Sequence, residues 1–354
     1  MYFDVTMPLA LFAVTVAAML LNERVEGKLK ASFEKREFHT PDAILFVVMI
    51  SALASVIVFV PQMTIIAIFL FSYATLLFTF SYFFSNMQKR KAQFFCSAFG
   101  IAGFTAGTVA LLDYSADSLM FYGALAAYGL AAFAFLAVLY EQKRTDTRER
   151  WYLAVLPPAL FVLLYLVYVQ TPLWFPYLLN TYGVIFAILV TLYLGSLFTW
   201  KNVFIFAGLL TVMDIILVLV TGVMVTVAKQ VAGLGLPVLI SLPTIPLIAT
   251  EWGPQYMSLG LGDFFFAGIL ATQTLKKFGR RTAMLSTLTM SLSFAVFEAF
   301  LMNYQWGAFP GTVMIICGWL PVVAWKLFTE RKRRRSEQGK FDQETGVNLA
   351  EQGA

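Results

Sequence analysis

Residues 43–84 contain no charged side chain, and a stretch of that length cannot cross a bilayer only once. A helix rises 1.5 Å per residue, so about 20 apolar residues span the hydrocarbon core. The stretch reads as two helices divided by a tight hairpin at Pro61–Gln62. Similar apolar blocks recur along the whole chain. Hydrophobic residues make up 60% of it and charged residues 13%, with a mean hydropathy of +0.77. A soluble chain carries roughly 25% charged residues. The fold class is therefore an all-α polytopic membrane protein. Block length and apolar continuity predict about eleven transmembrane helices. They lie near 5–22, 42–60, 63–84, 93–113, 118–140, 151–169, 174–199, 202–225, 257–275, 283–303 and 308–328. A β-barrel does not fit, because its strands would alternate apolar and polar residues over about ten positions.

Positive charge orients these spans. Arg24, Lys28, Lys30, Lys35 and Arg36 follow the first, Lys89, Arg90 and Lys91 the third, and Lys143, Arg144, Arg148 and Arg150 the fifth. Lys201 follows the seventh, Lys276, Lys277, Arg280 and Arg281 the ninth, and the basic run 331–335 the last. Only Lys229 falls on the other side. The expected orientation has the N-terminus outside and the C-terminus in the cytoplasm. The net charge of +5 thus serves membrane orientation, and no nucleic-acid partner is expected. The polar tail 336–354 reads as disordered. Pro157 and Pro158 are expected to kink the sixth span. Asp4 precedes the first apolar run and no basic residue does, unlike a cleaved signal peptide, so the first span is expected to stay. Cys96 and Cys317 read as small buried hydrophobes with no disulfide or metal-ligand spacing. His39 stands alone among charged residues, which argues against a haem or zinc site.

Two acids interrupt this apolar pattern. Asp214 lies within Leu210–Thr211–Val212–Met213–Asp214–Ile215–Ile216–Leu217, and Asp263 closes Gly260–Leu261–Gly262–Asp263. An ionised carboxylate at mid-bilayer costs roughly 2.5–3.5 kcal/mol on insertion scales. Asp214 is on one span and Asp263 near the start of the next, which runs back, so antiparallel neighbours can bring the carboxyls together. Two carboxylates that close cannot both ionise cheaply, and the pair shares a proton. That is acid/base machinery for hydrolysis, with one carboxylate activating water and the protonated partner binding a carbonyl; it needs neither metal nor organic cofactor. Gly260 and Gly262, flanking Leu261, leave the backbone open to an extended substrate. The same four residues also suit a tight turn before a helix. The connection between the two spans is apolar yet broken by Gly233, Gly235, Pro237, Pro243 and Pro246. Within it Val238–Leu239–Ile240 reads as a short strand whose exposed edge is a template for a peptide, or as part of a re-entrant loop without such a role.

These residues resemble the presenilin and signal peptide peptidase family, the GxGD intramembrane aspartyl proteases, and an archaeal-type member in particular. The resemblance covers residues 204–327. Met213–Asp214 stands where the family has Tyr-Asp, and Gly260–Leu261–Gly262–Asp263 stands at the second motif. Phe309–Pro310–Gly311–Thr312 is the best match to the Pro-Ala-Leu element and keeps only its proline, which implies a supporting role for Pro310. The resemblance implies cleavage of peptide bonds within transmembrane segments or signal peptides, by a presenilin-like catalytic bundle in the C-terminal part. The family has nine spans. Alignment on the acids makes 1–62 an addition of two helices, 63–200 a scaffold, 201–328 the catalytic part and 329–354 a cytoplasmic tail. The implied partners are transmembrane-helix peptides and the lipid bilayer of a microbial cell membrane; oligomeric state is not readable. The expected orientation is that of signal peptide peptidase and opposite to presenilin.

Other readings remain open at this level. Two intramembrane acids, with Glu298 in the tenth span, also fit a proton- or cation-coupled transporter. A prepilin-peptidase-like enzyme shares Gly-x-Gly-Asp but cleaves at the membrane surface. Glu298 is expected to pair with a neighbour or to face a water cavity. Asn180 and Gln273 read as interhelical hydrogen-bond partners, and Glu251 and Trp252 as interfacial residues.

Overall fold

The computed structural model describes residues 2–32, 39–112, 118–144, 150–250, 253–304 and 308–352. Helices α1 (Thr6–Ser32), α2 (Thr40–Ile57), α3 (Gln62–Phe83), α4 (Lys89–Leu112), α5 (Ser118–Lys143) and α6 (Trp151–Tyr168) form the first half. A π-helical turn, Leu173–Leu178, leads into α7 (Leu179–Gly195). Helix α8 (Trp200–Ile215) ends in a second π-turn, Ile216–Val220, and α9 (Val223–Gly233) follows. Strands β1 (Leu239–Pro243), β2 (Ala249–Thr250), β3 (Gly253–Pro254) and β4 (Tyr256–Gly260) precede α10 (Leu261–Phe278), α11 (Arg280–Tyr304) and α12 (Gly311–Gln352).

Among the described residues ten helices are long and apolar enough to cross a membrane. The remaining predicted span is α10, whose 18 residues include Asp263, Lys276 and Lys277. All eleven expected spans thus have a helix. Their ends differ where local chemistry intervenes. The ninth does not begin at 257, because Tyr256–Gly260 pairs as a strand. Pro157 and Pro158 sit inside α6, which runs on as one helix from Trp151 to Tyr168. The tail expected to be disordered continues α12 as helix to Gln352; its Glu, Gln, Lys and Arg residues are good helix formers even without a core. Glu251 and Trp252 lie outside the described residues.

Helix α10 is the axis of the bundle. Its residues from Phe264 to Thr274 are buried without interruption, the pattern of a helix enclosed on every side. It packs against α1, α7, α8, α11 and α12. Helix α2 packs against α8 and α9, so the first two helices flank those that carry the acids. Helices α4 and α5 pack on each other and on α6, away from this centre. Hydrogen bonds between helices are strong restraints where hydrocarbon offers no alternative partner. Gln273 Nε2 donates to the carbonyls of Phe198, at 2.6 Å, and Gly195, at 3.3 Å. Trp319 Nε1 donates to Thr274 Oγ1 at 2.9 Å. Cys96 is buried, as expected, whereas Cys317 is exposed.

The segment between α9 and α10 folds back into the bundle, where every backbone polar group needs a partner. Aromatic side chains supply several. Tyr165 Oη donates to Leu234 O at 2.9 Å, Trp174 Nε1 to Gly235 O at 2.7 Å, and Tyr73 Oη to Pro237 O at 3.0 Å. Strand β1 then pairs antiparallel with β4, with Ile240 opposite Leu259 and Leu242 opposite Met257. The strand expected at Val238–Leu239–Ile240 is therefore present one residue later, and one edge is covered by β4. At its other edge Asn180 of α7 forms a two-point clamp. Ser241 N donates to Asn180 Oδ1 at 2.8 Å, and Asn180 Nδ2 donates to Ser241 O at 2.6 Å.

Candidate active site

Three helix segments converge around the two acids. Asp214 comes from the last turns of α8, immediately before the π-turn Ile216–Val220. There Thr221 N donates to Ile216 O at 2.9 Å, five residues back. Such widened turns recur at functional sites. Gly222, at φ 66°, then separates the π-turn from α9 in a left-handed conformation that side chains disfavour. Asp263 lies in the first turn of α10, where helix N–H groups and the macrodipole favour a carboxylate. Its Oδ2 lies beside Gly260 at the end of β4, 3.3 Å from a Cβ built there.

The third segment is the start of α12. Thr312 donates twice to Asp214 Oδ2, from Oγ1 at 2.7 Å and from its backbone N–H at 3.3 Å. Gly311, one residue earlier, lies against Asp263. A Cβ built on Gly311 would overlap the Asp263 carboxyl group, coming within 2.6 Å of Cγ. One dipeptide thus touches both acids and fixes their relation to each other. Met213, beside Asp214 in sequence, carries no hydroxyl, and the hydroxyl that reaches Asp214 comes from α12. Pro310 is buried behind this dipeptide, and its carbonyl accepts from Met314 N at 3.5 Å.

Both acids line one cavity of about 890 Å³, large enough for several extended residues. Gly260, Leu261, Gly262, Val238 and Leu239 also line it, together with Thr312 and Gly311. No atom lies within 4 Å of a Cβ built on Gly262, so the chain is open to the cavity there. Ile240 is 1% exposed and faces away, against Gly183 of α7. The sequence reading therefore named five of the cavity residues beside the acids, while Ile240 and Pro310 stand behind the wall. It missed Gly311 and Thr312 as contact residues. The available signal was their place at a helix N-terminus next to Pro310, where a free N–H and a hydroxyl are both donors.

A family model described as signal peptide peptidase matches residues 30–314 of this chain. Comparison with curated proteins and with solved structures gives no significant match.

Proposed function

The chain belongs to the signal peptide peptidase family, whose members are membrane-embedded aspartic proteases, and from that premise we propose that Asp214 and Asp263 form its hydrolytic dyad. The observation that carries the reading is the shared Gly311–Thr312 contact, which holds both carboxyls on one open cavity. A structural role for either acid alone gives no reason for that convergence.

In the proposed reaction the dyad holds one proton between its members. The ionised carboxylate takes a proton from water as the water oxygen bonds to the scissile carbonyl carbon. The protonated partner gives its proton to the carbonyl oxygen, producing a neutral gem-diol. On collapse the carboxyl that took the water proton gives it to the departing nitrogen as the C–N bond breaks, and its partner carboxylate takes one hydroxyl proton of the gem-diol, leaving a carboxylic acid and an amine. The dyad again holds one proton. The double donation from Thr312 orients Asp214, and the first turn of α10 and Gly311 hold Asp263.

The substrate is a transmembrane segment that reaches the cavity in extended form. Because Ile240 and Leu242 pair with Leu259 and Met257, and Leu261 N donates to Val238 O at 2.9 Å, Tyr256 and Ser258 direct their backbone groups away from β1. This edge of β4, rather than the clamped edge of β1, suits addition of a substrate strand. It leads directly to Gly260 and Asp263. The basic loops support an orientation with the C-terminus in the cytoplasm, which implies substrates of type II orientation.

Purified protein in liposomes should cleave a transmembrane peptide at one or a few bonds, as read by mass spectrometry. Asp214→Ala and Asp263→Ala should each remove cleavage. Cleavage by both variants at the parent rate would sink the assignment.

A further inference from the structure

The cavity holds a third acid that the proposed chemistry leaves unused. Glu298 of α11 lines the same cavity and is 1% exposed. Among the described residues neither of its carboxyl oxygens has a hydrogen-bond partner. Its neighbours along that wall are Phe294, Leu301 and Met302, which offer no donor. A buried carboxyl group without a donor carries an uncompensated desolvation cost.

The surroundings say what completes it. Asp4, just before α1, is the nearby acid whose charge acts on Glu298. Asp4 is fully engaged. It accepts from Thr6 N and Met7 N, both at 3.0 Å, and from Ile245 N at 2.8 Å. Lys229 of α9 is the cation among the described cavity-lining residues, and the ion pairs found among the described residues all involve Glu141 and none joins Lys229 to Glu298. Among the described residues the locality is therefore negative and offers Glu298 no hydrogen-bond donor, and it favours an incoming cation over an anion or an apolar group.

Its height along the bundle is set by two contacts. Ser293 Oγ donates to Met314 O at 2.7 Å, and Phe297 stacks on Phe309 with ring centroids 5.4 Å apart. Glu298 thus lies level with residues just before Gly311 and Thr312, about one helical turn from the dyad. It is displaced towards the end opposite Lys276 and Lys277. An extended peptide covers that distance in roughly two residues.

Resting on the protease reading above, we propose that Glu298 is a specificity-determining residue that binds a lysine or arginine side chain of the substrate. That side chain lies a few residues from the scissile bond, on the side away from the Lys276–Lys277 end. The substrate ammonium or guanidinium supplies the donors that Glu298 lacks, and Glu298 supplies the counter-charge that a cation inside a membrane requires.

The test uses the full-length protein in liposomes and a transmembrane peptide carrying one Lys, moved position by position outward from the cleavage site, with Leu at the same position as reference. The expected result is a kcat/KM for Lys over Leu of about 10 or more at one or two adjacent positions. In Glu298→Gln that ratio should fall to near 1. A ratio near 1 at every position in the parent protein, or an unchanged ratio in Glu298→Gln, overturns the proposal. Binding of the same peptides to Asp263→Asn protein, by fluorescence anisotropy, separates this idea from the protease reading. Tighter binding of the Lys peptide that is lost on adding Glu298→Gln supports the site even if the parent cleaves nothing. Equal binding of both peptides sinks it even if the parent is an active protease. Thermal melting of Glu298→Gln, expected at or above the parent, excludes misfolding as the cause.

Discussion

Thr312 reaches Asp214 across 98 positions of sequence, with its hydroxyl 2.7 Å from Oδ2. Replacing Thr312 by Val keeps the backbone donor and the shape but removes the hydroxyl. A hydrogen bond to a charged group contributes about 1.5–3 kcal/mol. Cleavage by Thr312→Val should therefore drop roughly 10- to 100-fold in kcat, and Thr312→Ser should recover most of it. Single-turnover rates on a transmembrane peptide measure both. Equal loss in the Ser variant would point to packing instead of donation.

Gly311 admits no side chain at this position. Its added Cβ would meet the Asp263 carboxyl, and neither a buried helix start nor a first-turn aspartate yields easily. Overpacking costs about 1–3 kcal/mol, so Gly311→Ala should still fold. Its activity should fall at least about 100-fold because the acids are pushed apart, an effect of ångström-scale misplacement. Melting temperature and kcat measured together separate the two effects.

Asp214→Asn and Asp263→Asn should each abolish cleavage, and the double variant should be no worse than either. Groups that act as one unit are non-additive in this way. If the two losses multiply, the acids work independently and the shared-proton reading is wrong.

The same reading fixes the form of the pH profile. Protonation of both members removes the water-activating base, and ionisation of both removes the acid that polarises the carbonyl. A plot of kcat/KM against pH should be a bell whose two limbs belong to the pair. In Asp214→Asn any residual activity should lack one limb.

Asn180 tests the fold around the site. Its amide satisfies both backbone groups of Ser241. Asn180→Ala leaves them without that partner, at about 1–3 kcal/mol, and frees the outer edge of β1. The expected readout is a melting point lowered by several degrees and a raised KM with a smaller change in kcat. An unchanged melting point would show that water or a lipid headgroup replaces the amide without cost.

Apolar block length was sufficient to place eleven helices, since about 20 residues must cross the bilayer whatever the partners are. The acids were legible for the same reason: Asp214 and Asp263 carry a cost that an apolar segment does not bear by accident. Which side chains meet those acids was a different matter. Pro310 drew notice as a motif residue, yet the contacts fall on its successors. Ile240 was read as part of a substrate edge, but the pleat turns it against Gly183. Alternation decides such a facing residue by residue, and one position reverses it. Pairing of β1 with β4, the Asn180 clamp and the Gly311–Thr312 bridge are all long-range contacts.

The sequence by itself determined that this chain is a polytopic membrane protein, where eleven of its helices lie, and which two carboxyls are out of place there. Only the tertiary structure decided that α12 supplies the groups touching both, and that Glu298 faces the same cavity without a hydrogen-bond partner among the described residues. The physical reason is that lipid is as apolar as the helix faces it surrounds. Hydrophobicity therefore drives each helix into the bilayer without choosing its neighbour. That choice rests on close packing at small residues and on a few directional hydrogen bonds, whose partners lie far apart in sequence.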